Sequence, residues 1–346
     1  MKTPTPHRLL QYVRRGLRLK RYLQRPGDGR RYPQIPAPAM LWAILLGQIL
    51  RECSFHAVES LVGCACRRRL GVSRKFGDDA LAYFSERLNP APTRQAAVQV
   101  VRQAKRNKAF QNSTFLGLAV DGTTAGRCRE EQCSLCRPLR DAHRQIVGYR
   151  HHFVMLSVVG TGLSLPIDVE PYGPGDSEYA AGQRLLRRAI PALGSRFADY
   201  LVVDGEFATA PFLHACDDLG LPVVARLKGN LPELFQAAQQ RFSQHAAKLE
   251  FRWRRDRVQV WDADDFDPWE SLRWSTVRVL YYRQQQPDGT VIEAHWLTNL
   301  SPNRVSTRSL FRMVRAVGRL RTRVLMKPRI STTWNIFLII MRTACY

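Results

Sequence analysis

"YLVVDGEFATAPF", residues Tyr200–Phe212, is the stretch on which the reading of this chain turns. Tyr200, Leu201, Val202 and Val203 form an unbroken apolar run, as in a strand covered on both faces. The run ends on Asp204 and Gly205 and leads into a helix-like segment. Asp-Gly is a common turn pair, and a turn by itself accounts for it. The same form recurs in "TFLGLAVDGTTAG", Thr114–Gly126, where an apolar run meets Asp121 and Gly122. Two strands that each run into a carboxylate open a second reading, a shared site.

Apolar runs at Phe115–Val120, His152–Val159 and Leu163–Val169 predict three strands. "DSEYAAGQRLLRRAIPAL" predicts a helix capped by Asp176 or Ser177. The strand Tyr200–Val203 follows, then a helix from Phe212 to Leu219, then the strand of "LPVVARLKG". A short turn between the second and third strands and a longer cysteine-bearing loop between the first and second suggest an antiparallel meander, and crossover helices suggest parallel pairing for the rest. The first strand then pairs with the fourth. Asp121 and Asp204 come to the C-terminal ends of neighbouring parallel strands, where sites of open α/β sheets form. Adjacent carboxylates repel unless a cation lies between them, and hard divalent ions bind in this way.

The flanking regions differ. Residues 1–113 read as basic helices, with arginines interleaved among apolar positions in "HRLLQYVRRGLRLKRYLQR" and "TRQAAVQVVRQAKRNKAF". That pattern suits DNA binding, and a solvated basic bundle is its structural alternative. Residues 230–300 alternate as strands, with "QPDG" as a hairpin turn and Trp253, Trp261, Trp269 and Trp274 as packing residues. The chain holds 53 Lys and Arg against 29 Asp and Glu, a net charge of +24. An excess of this size favours a polyanionic partner, most simply nucleic acid. No membrane partner is expected, since "MLWAILLGQIL", Met40–Leu50, is too short to span a bilayer.

"LAVDGTT" and "VVDGEFATAPFLHACDDLGLPVVARLKGN", with the order of elements around them, resemble the DDE transposases of the insertion-sequence-four group. The resemblance covers Phe115 to about Arg315. It implies an α/β fold, a ribonuclease-H-like mixed-sheet core with a helical N-terminal region and a β-rich insertion. The implied boundaries are 1–113 for the helical region, 114–229 for the first part of the core, 230–300 for the insertion and 301–346 for the C-terminal helix region. It implies Mg²⁺- or Mn²⁺-dependent cleavage and transfer of DNA strands, with Asp121 and Asp204 as catalytic metal ligands. Arg226 and Lys228 match basic residues implied to contact DNA phosphate. The implied partners are transposon-end and target DNA, a homodimer is left open, and the implied location is the cytoplasm, at the nucleoid.

Such a transposase needs a third acid, a glutamate in a pattern like Arg-Trp-x-Ile-Glu-Asn on a C-terminal helix. This chain has no Asp or Glu after Glu293. Read one base early, however, Val317–Arg329 can be re-spelled as RWEIENQGFNEAK, with a glutamate in the slot held by Arg321. The genetic code leaves little freedom in that re-spelling. A frameshift near Ala316 or Val317 is therefore expected, with the chain as written catalytically defective. A non-catalytic DNA-binding protein or transposition inhibitor derived from a transposase is the alternative.

Two further groups bear on metals. "CREEQCSLC" places Cys128, Cys133 and Cys136 in one short connection, with His143, His151 and His152 downstream. Cys128, Cys133, Cys136 and His143 are the expected zinc set, and free loop thiols are the alternative. Asp262, Asp264, Asp265 and Asp267 lack the glycine and terminal glutamate of a calcium loop and are read as a solvated acidic loop.

Overall fold

Alternation of side chains about one large sheet explains most of the architecture. The computed structural model describes residues 11, 15–24, 27–50, 52, 54–111, 114–161 and 165–320. The N-terminal region holds α1 (Leu19–Tyr22), α2 (Ala37–Leu50), α3 (Phe55–Gly63), α4 (Asp78–Glu86) and α5 (Pro90–Arg106), with the two-residue strands β1 (Gly27–Asp28) and β2 (Leu88–Asn89). Helix α2 is apolar nearly all round and buried in the centre of this region. Ser54 caps α3 by accepting from the Ala57 amide, and Asn89 caps α5 by accepting from that of Ala91.

The core follows as β3 (Gly117–Cys128), β4 (Arg137–Arg140), β5 (Ile146–Val159), β6 (Leu165–Tyr172), α6 (Glu178–Leu193), β7 (Tyr200–Val203), α7 (Ala210–Asp218), β8 (Val223–Leu227) and α8 (Pro232–Ser243). Then come β9 (Leu249–Trp253), β10 (Asp256–Phe266), β11 (Val277–Gln285), β12 (Val291–Thr298) and α9 (Thr307–Leu320). The sheet runs β5-β3-β7-β8-β12-β11-β10-β9, with β4 and β6 along the outer edge of β5. Strands β3, β5 and β6 form the expected antiparallel meander. Strands β3, β7 and β8 pair in parallel, also as expected. The mixed α/β class, the helical N-terminal region and the β-rich segment are all present. The β-rich strands continue the same sheet, because β12 pairs antiparallel with β8.

Each face has its own core. Leu118, Val120, Leu201, Val203, Val223 and Ala225 face α6 and α7. Tyr200, Val202 and Val224 face the other way, toward Leu310, Phe311 and Val314 of α9. All four β7 residues are buried, which is why that strand reads as a continuous apolar run. A buried polar knot seats the start of α9. Arg278 makes a two-pronged ion pair with Asp262 at 2.6 and 2.8 Å and donates to the Leu300 and Val305 carbonyls. The Thr307 hydroxyl donates to the same carboxylate. Burial alone would raise Asp262, but hydrogen bonds from Arg278 and Thr307 hold it below the ordinary carboxylate range. Asp262 is thus no member of a solvated loop; the two-residue alternation of β10 turns it inward. Breaking one partner of such a pair leaves an uncompensated buried charge.

The N-terminal helices dock on the core through a second network. Arg94 of α5 and Arg188 of α6 both meet the buried Asp168 of β6, at 3.3 and 2.9 Å. Lys105 donates to the Arg196 and Phe197 carbonyls, and Arg102 to that of Ala192. Part of the basic stripe on α5 is therefore used inside the molecule. Of "HRLLQYVRRGLRLKRYLQR", residues 7–10, 12–14 and 25 lie outside the described residues.

Candidate active site

The register of β3 and β7 brings the two Asp-Gly pairs together. Val120 lies opposite Val203, so Asp121 and Asp204 are the next residues along neighbouring parallel strands. Such strands are about 4.8 Å apart. Alternation puts Asp121 on the parity of Ala119, and Asp204 on that of Val202. That is the face covered by α9. Both aspartates are part-exposed at the edge of the core.

The two pairs then diverge. Asp121-Gly122 is not a turn: β3 runs on through Cys128, held by its pairing with β5. Gly122 is a place of close approach, since a Cβ there would lie 2.3–2.5 Å from the carboxyl group of Glu178. The Gly122 N–H donates to that carboxylate, as does the Tyr172 hydroxyl at 2.9 Å. Glu178 opens α6, behind the Ser177 cap, and reaches the site from the face opposite α9. Its carboxyl is pushed up by burial and further by the charges of Glu206 and Asp204, against the downward pull of the Tyr172 and Gly122 donors.

Asp204-Gly205, by contrast, does open a turn. Asp204 caps the short 3₁₀ segment Gly205–Phe207, its carboxylate accepting from the Gly205 amide at 2.7 Å. Asn230 donates to the Gly205 carbonyl and accepts from the Lys228 amide, which ties this turn to the end of β8. The Lys228 ammonium stands 2.9 Å from the Asp204 carboxylate. Arg226 shares the sheet face but leans toward β12, over the Trp296 ring at 5.3 Å and donating to the Glu293 carbonyl.

The edge of β3 and β7 thus carries Asp121 and Asp204, with Lys228 beside Asp204, the exposed Glu206 in the turn after it, and Glu178 approaching from the opposite face. The hard carboxylate oxygens of Asp121 and Asp204 are of the kind that a divalent cation of the Mg²⁺ type takes. Glu178 was missed in the sequence. Its signal was Gly122, because a glycine inside a strand often marks close approach by another group. The expected third acid, in the slot of Arg321, lies outside the described residues. The described part of the C-terminal helix, Thr307–Leu320, contains no acid.

The cysteine group is placed differently from expectation. Cys133 and Cys136 come together with His151, not with His143. His143 is exposed in the turn between β4 and β5, where its amide donates to Asp141. His151 instead sits within β5, opposite Ala125 of β3, and points inward to the cysteines. Cys128 lies at the end of β3, outside this group.

A family model described as "Transposase DDE domain" matches residues 112–340. A cryo-EM structure of a piggyBac transposase synaptic complex with hairpin DNA is similar at 12% identity and a TM-score of 0.42, covering 97% of this chain and 69% of that one. That overlay is too loose to assign residues. No curated protein sequence matches significantly. Among the described residues, no helix is long and apolar enough to cross a membrane.

Proposed function

The chain belongs to the DDE transposase family, and we propose from that premise that Asp121 and Asp204 are its metal-binding acids for cleavage and transfer of DNA strands. The observation that carries this reading is the Val120–Val203 register, which sets the two carboxylates side by side on the face that α9 covers. Bound Mg²⁺ or Mn²⁺ would polarise the phosphodiester and favour the ionised attacking oxygen. Asp121 and Asp204 supply the anionic ligands. Glu178 is raised by burial and by its acidic neighbours, and a nearby cation would favour its ionised form. Lys228 neutralises Asp204 here. A cation on the carboxylates would release its ammonium toward DNA phosphate. The net charge of +24 supports a DNA partner held largely through its backbone.

The reading extends to a defect. The chain as written lacks the third acid on the C-terminal helix, and re-spelling by one base restores a glutamate at the Arg321 slot. An arginine facing the site would repel the cations that the aspartates attract. Insertion-sequence DNA is the proposed substrate.

The test compares the chain as written with a frame-restored version on transposon-end DNA in Mg²⁺ or Mn²⁺. Cleavage by the restored chain alone, lost on Asp204→Ala, supports the proposal. Cleavage by the chain as written, lost on Glu178→Gln, overturns the defect and makes Glu178 the third ligand. Binding without cleavage by both forms favours the non-catalytic DNA-binding alternative.

A further inference from the structure

We propose that Cys133, Cys136 and His151 form a zinc site that clips the connection between β3 and β4 onto β5. The His151 Nε2 atom lies 3.2 Å from the Cys133 sulfur and 3.3 Å from the Cys136 sulfur, and the sulfurs are 4.0 Å apart. Tetrahedral zinc, with bonds of about 2.3 Å to sulfur and 2.0 Å to nitrogen, needs about 3.6 Å between sulfur and nitrogen and about 3.8 Å between sulfurs. The three atoms therefore approach one face of a zinc tetrahedron to within a few tenths of an ångström.

The surroundings suit thiolates. The amides of Leu135 and Cys136 point at the Cys133 sulfur, and the Gln132 amide donates to the Cys136 sulfur at 3.4 Å. Backbone donors aimed at sulfur favour its anionic form, which is the form that binds metal. Without a metal, burial pushes the Cys133 thiol up and the His151 imidazole down, so both are neutral. A neutral imidazole is already the ligating form. Cys136 and His151 are buried and Cys133 is half-buried, which leaves the fourth position on the solvent side.

The clip also reaches the acidic site. Arg137, the next residue after Cys136, donates to the Gly173 carbonyl at 2.7 Å and to that of Asp176, and lies 4.8 Å over the Tyr172 ring. A Cβ at Gly173 would lie 3.0 Å from the Ser134 carbonyl, so the cysteine turn rests directly on this segment. Tyr172 in turn donates to Glu178. Zinc at the cysteines would thus steady the end of the acid group that approaches from α6.

The test uses the full chain, purified under reducing conditions without added chelator. About one equivalent of zinc per chain is expected by elemental analysis. Replacement by Co²⁺ should give a thiolate-to-cobalt charge-transfer band and the intense visible bands of a tetrahedral site. Cys136→Ser should abolish both signals, His143→Ala should leave both unchanged, and His151→Cys should retain metal with a shifted cobalt spectrum. Cys128→Ser reports whether a third thiol completes the site, through the strength of the charge-transfer band. Chelation should speed amide exchange at residues 132–137 and 172–178. Folded wild-type protein that is free of zinc and shows no cobalt–thiolate band overturns the proposal. So does metal binding that survives loss of Cys136, or that is lost with His143. If Cys136→Ser fails to fold, the wild-type cobalt spectrum and the His151→Cys shift decide the matter alone.

Discussion

The two Asp-Gly pairs look alike in one dimension and do different work in three. At Asp121-Gly122 the glycine is a gap in a continuing strand, and the gap is filled by the Glu178 carboxylate. At Asp204-Gly205 the glycine is the first residue of a turn, packed against backbone, where a Cβ would lie 3.1 Å from the Arg226 carbonyl. Neither glycine sits in the left-handed region, so neither is explained by backbone freedom. The lesson is that a dipeptide specifies a short local geometry, while what fills the space of its missing side chain comes from elsewhere in the chain.

The aspartates are expected to give the largest effects. If both serve one cation site, Asp121→Ala and Asp204→Ala should each cut DNA cleavage by the frame-restored protein at least about 10³-fold, the order lost when a central electrostatic group is removed. A large loss for one and none for the other would separate the two pairs functionally. The glycines come next. Gly122→Ala should fold, because the clashing group is the far end of a flexible side chain, but it should displace Glu178 and weaken metal-dependent thermal stabilisation. Gly205→Ala meets a backbone carbonyl instead and should cost roughly 1 kcal/mol of stability, measured by denaturant unfolding. A double-mutant cycle should couple Gly122→Ala strongly to Glu178→Ala and should leave Gly205→Ala uncoupled from it.

Glu178 sharpens the contrast through pH. Its folded pKa is raised, so the stability it contributes is full below the unfolded carboxylate value and is lost as pH rises through the folded one. Glu178→Gln should therefore raise the metal-free Tm by about 1–2 °C at neutral pH and leave it unchanged at strongly acid pH. Added Mg²⁺ should then stabilise the variant less than the parent. Identical Tm–pH profiles for parent and variant would remove Glu178 from the acid group. The smallest effect is expected at Lys228, on the Asp204 side. Lys228→Ala should lower the salt dependence of DNA binding by about one phosphate contact. An unchanged slope in fluorescence anisotropy titrations would confine this lysine to its pairing with Asp204.

Much of the framework was legible from local pattern. The apolar runs, the Ser177 cap, the meander and the crossovers follow from periodicity and connection length, and they suffice to make β3 and β7 neighbours. From there the adjacency of Asp121 and Asp204 follows without any knowledge of side-chain packing. Other features were not legible, because they depend on register and on which face a residue takes. His143 and His151 are equally available to Cys133 and Cys136 in the sequence. Pairing of Ala125 with His151 across the β3–β5 ladder is what turns His151 inward and leaves His143 in an exposed turn. Asp262 reads as one of four loop acids until the alternation of β10 buries it against Arg278. What the amino-acid sequence determined by itself was the core strands β3, β5, β6, β7 and β8, their pairing and the two carboxylates that follow the apolar runs of β3 and β7, since these rest on periods of two and 3.6 residues and on the connections between elements. What only the tertiary structure decided was the company those carboxylates keep, Glu178 from one face and Lys228 beside the other, because contacts between residues far apart in the chain are set by how the elements pack.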